Sequence, residues 1–228
     1  MLRIREIHAT QAPAFRAAHR LLTRVFPRAE MLPRRAWVQV LAERDAGVWT
    51  DLNWHLFAAE RGARTVGAAT GTYLGHVNVG LVGYVALAAS VRSQGVGPRL
   101  RWALRLAFER DARRLRGSAL RAVIGEVAPE NPWLRRLVAQ GAIPLDVPYY
   151  QPSVRPGHPA VPLVLYYQPM GAPRSSLPAA EVRRLLYAIW RRAYRVDRPL
   201  TQPAFRKMLR SLAGRERIGS QSLRGAHG

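Results

Sequence analysis

The sequence predicts a mixed α/β sheet domain followed by a short α-helical extension. Three observations carry this. Stretches that alternate apolar and polar residues interchange with stretches at helical spacing, in the order β-α-α-β-β-β-α-β-α-β-β. A glycine pair, Gly95 and Gly97, stands between an apolar run and a long basic helical pattern. Past the proline- and glycine-rich stretch 169–178, only helical stripes remain. With 228 residues, 48% hydrophobic and 22% charged, the composition is globular and suffices for one core.

The elements follow in order. Residues 2–7 alternate as a strand does. Residues 14–26 repeat apolar positions at helical spacing, with Pro27 just beyond. A second helix is expected over 33–46, with Pro33 in its first turn and Gly47 as its stop. Residues 54–59 and 65–73 read as strands joined by a turn at 61–64, and 80–89 continues the meander. A helix over 97–115 ends at Gly117-Ser118, and 120–127 returns to strand. Asn131 caps a short helix that opens at Pro132 and closes at Gly141. The last expected strands are 143–150 and 161–168. Leu185, Leu186, Ile189, Trp190, Ala193 and Tyr194 then form one apolar stripe. Phe205, Met208, Leu209 and Leu212 form a shorter one.

The net charge is +22 and comes almost wholly from arginine, with Lys207 the only lysine. The basic residues are spread along the chain, so incidental nucleic-acid affinity is expected rather than a dedicated basic arm. No apolar run approaches the length of a membrane span, and the N-terminus has no signal-peptide core. There is no cysteine, which excludes a disulfide framework, a thiol nucleophile and a thiolate metal site. No His/Asp/Glu spacing suggests a metal, and no serine-nucleophile elbow is present. A cytoplasmic protein without membrane partners is expected.

Arg92-Ser93-Gln94-Gly95-Val96-Gly97 fits the pattern R-x-x-G-x-G. A strand-to-helix junction of this kind aims backbone N–H groups at an anion. The spacing is not that of a dinucleotide-binding G-x-G-x-x-G, and no Gly-Lys-Ser/Thr follows as in a Walker loop. The segment, its place between strand and helix, and the element order resemble the GNAT acyltransferase superfamily over roughly residues 2–170. That resemblance implies a mostly antiparallel central sheet flanked by helices, with acetyl-CoA or another acyl-CoA as co-substrate and no metal. Arg92, Gln94, Gly95, Val96, Gly97 and Arg99 would hold the pyrophosphate, the backbone N–H groups of Gln94, Val96 and Arg99 joining those of the glycines. Pro98 has no N–H to give. Ala86, Leu87 and Ala89 would bind the pantetheine arm through the preceding strand and steady the acyl oxygen. Gly125-Glu126-Val127-Ala128-Pro129, Tyr149-Tyr150-Gln151-Pro152 and residues 159–165 further resemble a little-characterised bacterial branch with E-V-x-x-P and Y-x-Q-P segments.

Acyl transfer to an amine requires a base, a stabilised oxyanion and an acid for the leaving thiolate. Glu126 is the expected base, at the end of the fifth strand among Ala122, Val123, Ile124 and Val127. Many GNAT enzymes place an acid tyrosine four residues before the glycine that closes the fourth helix, and here that position is Leu137. Tyr150 is therefore the expected acid or substrate contact. Glu30, Tyr73, Asn78 and Tyr149 are candidates for the acceptor site. His55 reads as a packed or hydrogen-bonded strand histidine.

The expected organisation is an acyl-CoA-binding domain over 1–172, a helical extension over 173–214 and a disordered tail over 215–228. The apolar stripes of the extension require burial on their own domain, over the acceptor site or in a homodimer. The expected activity is acetyl transfer to a primary amine, on a small molecule or a protein, by direct attack in a ternary complex. The second reading is a catalytically inactive CoA-binding or nucleic-acid-associated protein on the same fold.

Overall fold

The computed structural model describes residues 1–28, 30–48, 51–155 and 157–222. The chain forms two compact units, Met1–Leu120 and Arg121–Gly228. The division thus falls after Leu120 and not near 172, and residues 173–222 pack with those from 121 onward.

In the first unit the elements are β1 (Leu2–Glu6), α1 (Pro13–Val25), α2 (Arg34–Asp45), β2 (Leu52–Arg61), β3 (Arg64–Leu74), β4 (Val79–Leu87) and α3 (Val96–Arg116). The four strands form a consecutive antiparallel sheet. Phe15 and Leu22 of α1 and Trp37 and Leu41 of α2 pack with Trp54 and Tyr84 of the sheet in one buried cluster. Leu100, Leu104 and Phe108 of α3 are fully buried. The Phe108 ring lies where a Cβ at Gly80 would stand, and its Cζ would be 2.5 Å from a Cβ at Gly71, so both positions exclude any side chain. These two glycines let α3 approach the strands.

The register between β3 and β4 shifts between Ala69 and Gly71, placing an extra residue in β4 opposite Thr70. Thr70 Oγ1 accepts from the Tyr84 N–H at 3.0 Å. The Tyr84 hydroxyl donates to the Glu30 carbonyl at 2.6 Å and accepts from the Leu32 N–H at 3.1 Å. The segment between α1 and α2 is thereby tied to the bulged strand.

In the second unit, β5 (Ala122–Val127) precedes α4 (Pro132–Ala139), whose Asn131 cap accepts from the Trp133 N–H at 3.0 Å. Short strands β6 (Ile143–Pro144), β7 (Tyr150–Gln151) and β8 (Val161–Pro162) precede β9 (Val164–Pro169). β9 pairs antiparallel with β5 and with β6. The long strands expected over 143–150 and 161–168 are broken because Pro144, Pro148 and Pro162 have no N–H for a ladder.

The extension contains β10 (Leu177–Pro178), α5 (Ala179–Ala188), a π-helical turn at Ile189–Ala193, a 3₁₀ turn at Pro199–Thr201, α6 (Pro203–Arg210) and β11 (Arg217–Ile218). Leu185, Leu186, Ile189, Trp190, Phe205, Met208 and Leu212 are buried, as their spacing requires. Trp190 Nε1 donates to the Tyr150 carbonyl at 3.1 Å, and the Tyr150 N–H lies 3.4 Å from Met208 Sδ. The stripes therefore pack on their own unit. Disorder was expected from 215, but residues 217–218 pair antiparallel with 177–178. The rest of that expectation, 223–228, lies outside the described residues. Strand alternation at 217–218 is too short to register as a periodic signal.

Candidate active site

The strand-to-helix junction is built by backbone conformation. β4 ends at Leu87, and a 3₁₀ turn over Ala89–Val91 leads to the loop. Ala89, expected in the strand, opens that turn instead, and its carbonyl accepts from the Arg92 N–H at 3.2 Å. Ser93 and Gly95 are both left-handed, at φ 61° and 71°. Gly95 is the residue from which α3 begins. A left-handed conformation there favours glycine even though the surrounding space is open.

Two expected donors are engaged internally. The Gln94 N–H turns back to the Val91 carbonyl at 3.4 Å, and the Arg99 N–H closes the first helical turn on the Gly95 carbonyl at 3.3 Å. The Gln94 side chain also bridges, donating to the Ser90 carbonyl at 2.9 Å and accepting from Arg61 at 2.8 Å. The N–H groups of Val96 and Gly97 have no carbonyl a turn behind them within α3, as at any helix start. Arg92 and Arg99 are exposed.

Gly97 tests whether a phosphate-bearing group fits. A Cβ there would meet only Leu87 Cδ1, at 3.5 Å, an ordinary contact. The fold does not demand glycine at 97, and glycine there leaves the backbone open to close approach by a ligand. With the helix N-terminus and two flanking guanidinium groups, this junction suits a pyrophosphate.

In the second unit, Glu126 on β5 is half-buried and accepts hydrogen bonds from two tyrosines. The Tyr149 hydroxyl donates to Oε1 and the Tyr194 hydroxyl to Oε2. Tyr149 is buried, and burial, with Glu126 beside it, raises its pKa well above the ordinary value. Tyr150, expected as the acid, faces elsewhere. Its hydroxyl accepts from Lys207 Nζ at 2.7 Å, and the ammonium lies 5.2 Å from its ring centre. Neighbouring side chains in extended backbone point to opposite faces, so only one of Tyr149 and Tyr150 can reach Glu126. Leu137 is fully buried with Leu134, Ala142, Val164 and Tyr166. Tyr194 is the residue that sequence reasoning placed only in an apolar stripe. Its one signal was a polar tip at the end of an otherwise apolar helix face.

Other acceptor-site candidates are structural. Tyr73 is fully buried, its hydroxyl donates to Asn78 Oδ1 at 2.9 Å, and burial pushes its pKa up to about 12. Asn78, left-handed at φ 54°, donates to Ser118 Oγ at 3.2 Å and the Ala119 carbonyl at 2.8 Å. These bonds fasten the end of α3 to the β3–β4 turn. Glu30 belongs to the segment held by Tyr84. Ala86 is buried opposite Ala68, and Leu87 lies opposite Gly67. His55 is buried between two carboxylates, with Nδ1 2.6 Å from Glu6 and Nε2 2.7 Å from Asp111.

A bulged antiparallel sheet, with a helix that opens at a left-handed glycine, defines a mixed α/β domain whose strand-to-helix junction suits an anion. Residues 14–125, just under half of the chain, match the acetyltransferase (GNAT) family. The match ends one residue before Glu126.

No match was found among curated proteins. A GNAT-family protein from Bacteroides thetaiotaomicron shares the fold with a TM-score of 0.60 and 18% identity, covering 86% of this chain and 99% of its own. The ribosomal-protein-S18-alanine N-acetyltransferase from Escherichia coli aligns at 0.50 and 16%, over 78% of this chain and 99% of its own. A chain of the NatC complex bound to Gag peptide and CoA aligns at 0.53 and 12%, over 75% and 99%. At these identities the likeness is one of fold. Among the described residues, no helix is long and apolar enough to cross a membrane.

Proposed function

We propose that the chain is an acyl-CoA-dependent N-acyltransferase that transfers an acetyl group from acetyl-CoA to a primary amine. The carrying observation is the junction at 92–99, where left-handed Gly95, the free side of Gly97 and the first-turn N–H groups of Val96 and Gly97 meet exposed Arg92 and Arg99. The NatC complex, of similar fold, is bound to CoA, which supports the same co-substrate here. Acetyl-CoA supplies an acyl thioester.

The chain's own residues bind and move protons. Val96 and Gly97 N–H groups and the two arginines hold the diphosphate, and the end of β4 at Ala86 and Leu87 offers backbone groups to the extended arm. Glu126 takes the proton of the attacking amine. Two tyrosine hydroxyls orient its carboxylate, and the proton that Glu126 takes passes to the leaving CoA thiolate, with Tyr149 and Tyr194 as its hydrogen-bond donors. Without a cysteine, a cysteinyl acyl intermediate is excluded, and direct attack in a ternary complex follows.

The test is release of free thiol from acetyl-CoA across a library of amines, with acetylated product identified by its mass. Amine-dependent thiol release is expected. Binding of acetyl-CoA without turnover on any amine would favour an inactive CoA-binding protein, to which buried Leu137 at the usual acid position also points.

A further inference from the structure

In the second unit, and apart from the Glu126 tyrosines, a cavity of about 550 Å³ is lined by Arg121, Arg174, Arg217, Ser175, Ser176 and Glu181, with Pro173 and Pro178 at its edge. We infer that this cavity is a binding site for a small phosphate monoester.

Charge is the first argument. Three guanidinium groups, which stay protonated at any working pH, face one carboxylate. Glu181 is buried and lies 2.8 Å from Arg121 and 3.6 Å from Arg174. It compensates one positive charge and leaves two. A phosphate monoester near its second ionisation carries a charge approaching −2 at neutral pH, which matches the excess. A carboxylic acid would leave one cation unmatched.

Preorganisation is the second. Arg217 is held by two bonds to Ser176, from Nε to Oγ at 2.8 Å and from Nη2 to the carbonyl at 3.1 Å. Arg121 is held by Glu181, which the Tyr167 hydroxyl also approaches at 3.4 Å. The loop carrying Arg174, Ser175 and Ser176 is fixed by the β10–β11 pair and by the Ala179 N–H on the Glu216 carbonyl at 2.8 Å. Ser176 Oγ accepts from Arg217, so its own proton is directed elsewhere. Planar guanidinium forks pair with phosphate oxygens through parallel charge-assisted bonds. The volume exceeds that of a bare phosphate and falls within the range of small-molecule sites, about 300–1,000 Å³.

The experiment is calorimetric titration of the full chain with glycerol 3-phosphate, inorganic phosphate and acetate. Glycerol 3-phosphate is expected to bind tightest and acetate at least about tenfold more weakly, since acetate brings one negative charge to two uncompensated guanidinium groups and the monoester nearly two. Arg174→Gln, which removes a group whose contact with Glu181 is long, is expected to weaken glycerol 3-phosphate by about tenfold, and Arg174→Gln/Arg217→Gln to abolish binding. Gly97→Glu, at the other anion site, should leave the affinity unchanged. The inference is overturned by no binding up to about 10 mM, by phosphate binding tighter than the monoester, by equal affinity in both arginine variants, or by loss in Gly97→Glu alone.

Discussion

Nε2 of His55 on β2 lies 2.7 Å from Oδ2 of Asp111 on α3, while its Nδ1 lies 2.6 Å from Glu6 on β1. Burial alone would depress the histidine pKa, but the bonds to Asp111 and Glu6 raise it. Burial would likewise raise both carboxylates, yet the His55 bonds lower them. Arg110, Arg44 and His8 face Glu6, and Arg114 and Asn53 face Asp111.

The first prediction concerns pH. A histidine raised on folding contributes fully below its ordinary value of about 6.5 and loses that contribution as pH climbs through the raised value. The lowered carboxylates contribute above their usual range near 4 and lose it as pH falls through their folded values. The cluster is therefore strongest between about pH 4.5 and 6.5. Above the raised value a neutral imidazole has one N–H for two carboxylates. Urea unfolding should show stability falling from pH 6 to pH 9, and the fall should vanish in His55→Leu. That variant should cost about 3–5 kcal/mol at pH 6, because it strands the buried Asp111 carboxylate and the half-buried one of Glu6.

A second prediction separates the two loop glycines. Acetyl-CoA at about 100 times its dissociation constant should stabilise the chain by about 2.7 kcal/mol, or roughly 5–10 °C in Tm. Gly97→Glu should fold normally and lose the shift. Gly95→Ala should lower the Tm without ligand, since a left-handed alanine costs about 1–2 kcal/mol. Thermal scans with and without acetyl-CoA read both, and an unchanged shift in Gly97→Glu would remove the cofactor from this loop.

A third addresses the carboxylate and its two donors. Glu126→Gln keeps shape and removes the proton acceptor, so turnover at pH 7 should fall by about 10²–10⁴ while acetyl-CoA binding persists. Tyr194→Phe should also lose turnover, and Tyr150→Phe should stay close to wild type because its hydroxyl faces Lys207. Steady-state kinetics on any amine acceptor decides this. Equal losses in Tyr150→Phe and Tyr194→Phe would return the acid role to Tyr150.

A fourth concerns the extension. Phe205 on α6 is fully buried, with its ring 5.2 Å from that of Trp190. Phe205→Ala should cost about 3–5 kcal/mol in chemical denaturation. Truncation after Pro173 should expose the surface under Trp190 and Met208 and cause aggregation. A truncated chain that stays monodisperse with unchanged stability would contradict this packing.

Much of this was legible in the sequence. Helical spacing located α1 to α6, and the Asn131-Pro132 pair marked the start of α4, because capping and periodicity are local properties. The strand-to-helix junction was readable because the left-handed Gly95 acts on its own backbone. The partners of Glu126 were not readable. Tyr149 and Tyr150 are adjacent and chemically alike, and only the side on which each emerges separates them. Tyr194 lies 68 positions from Glu126, a distance at which no periodicity relates one residue to another. The same holds for the hydrogen bonds by which Tyr73 and Asn78 fasten the β3–β4 turn to the end of α3.

The tie between Tyr194 and Glu126 also orders events in time. A ribosome that has just added Glu126 must add 68 further residues before the second donor exists. At ordinary elongation rates that takes roughly 3–14 s. During this interval a nascent chain can fold its first sheet and present the junction at 92–99, while its carboxylate is still without Tyr194.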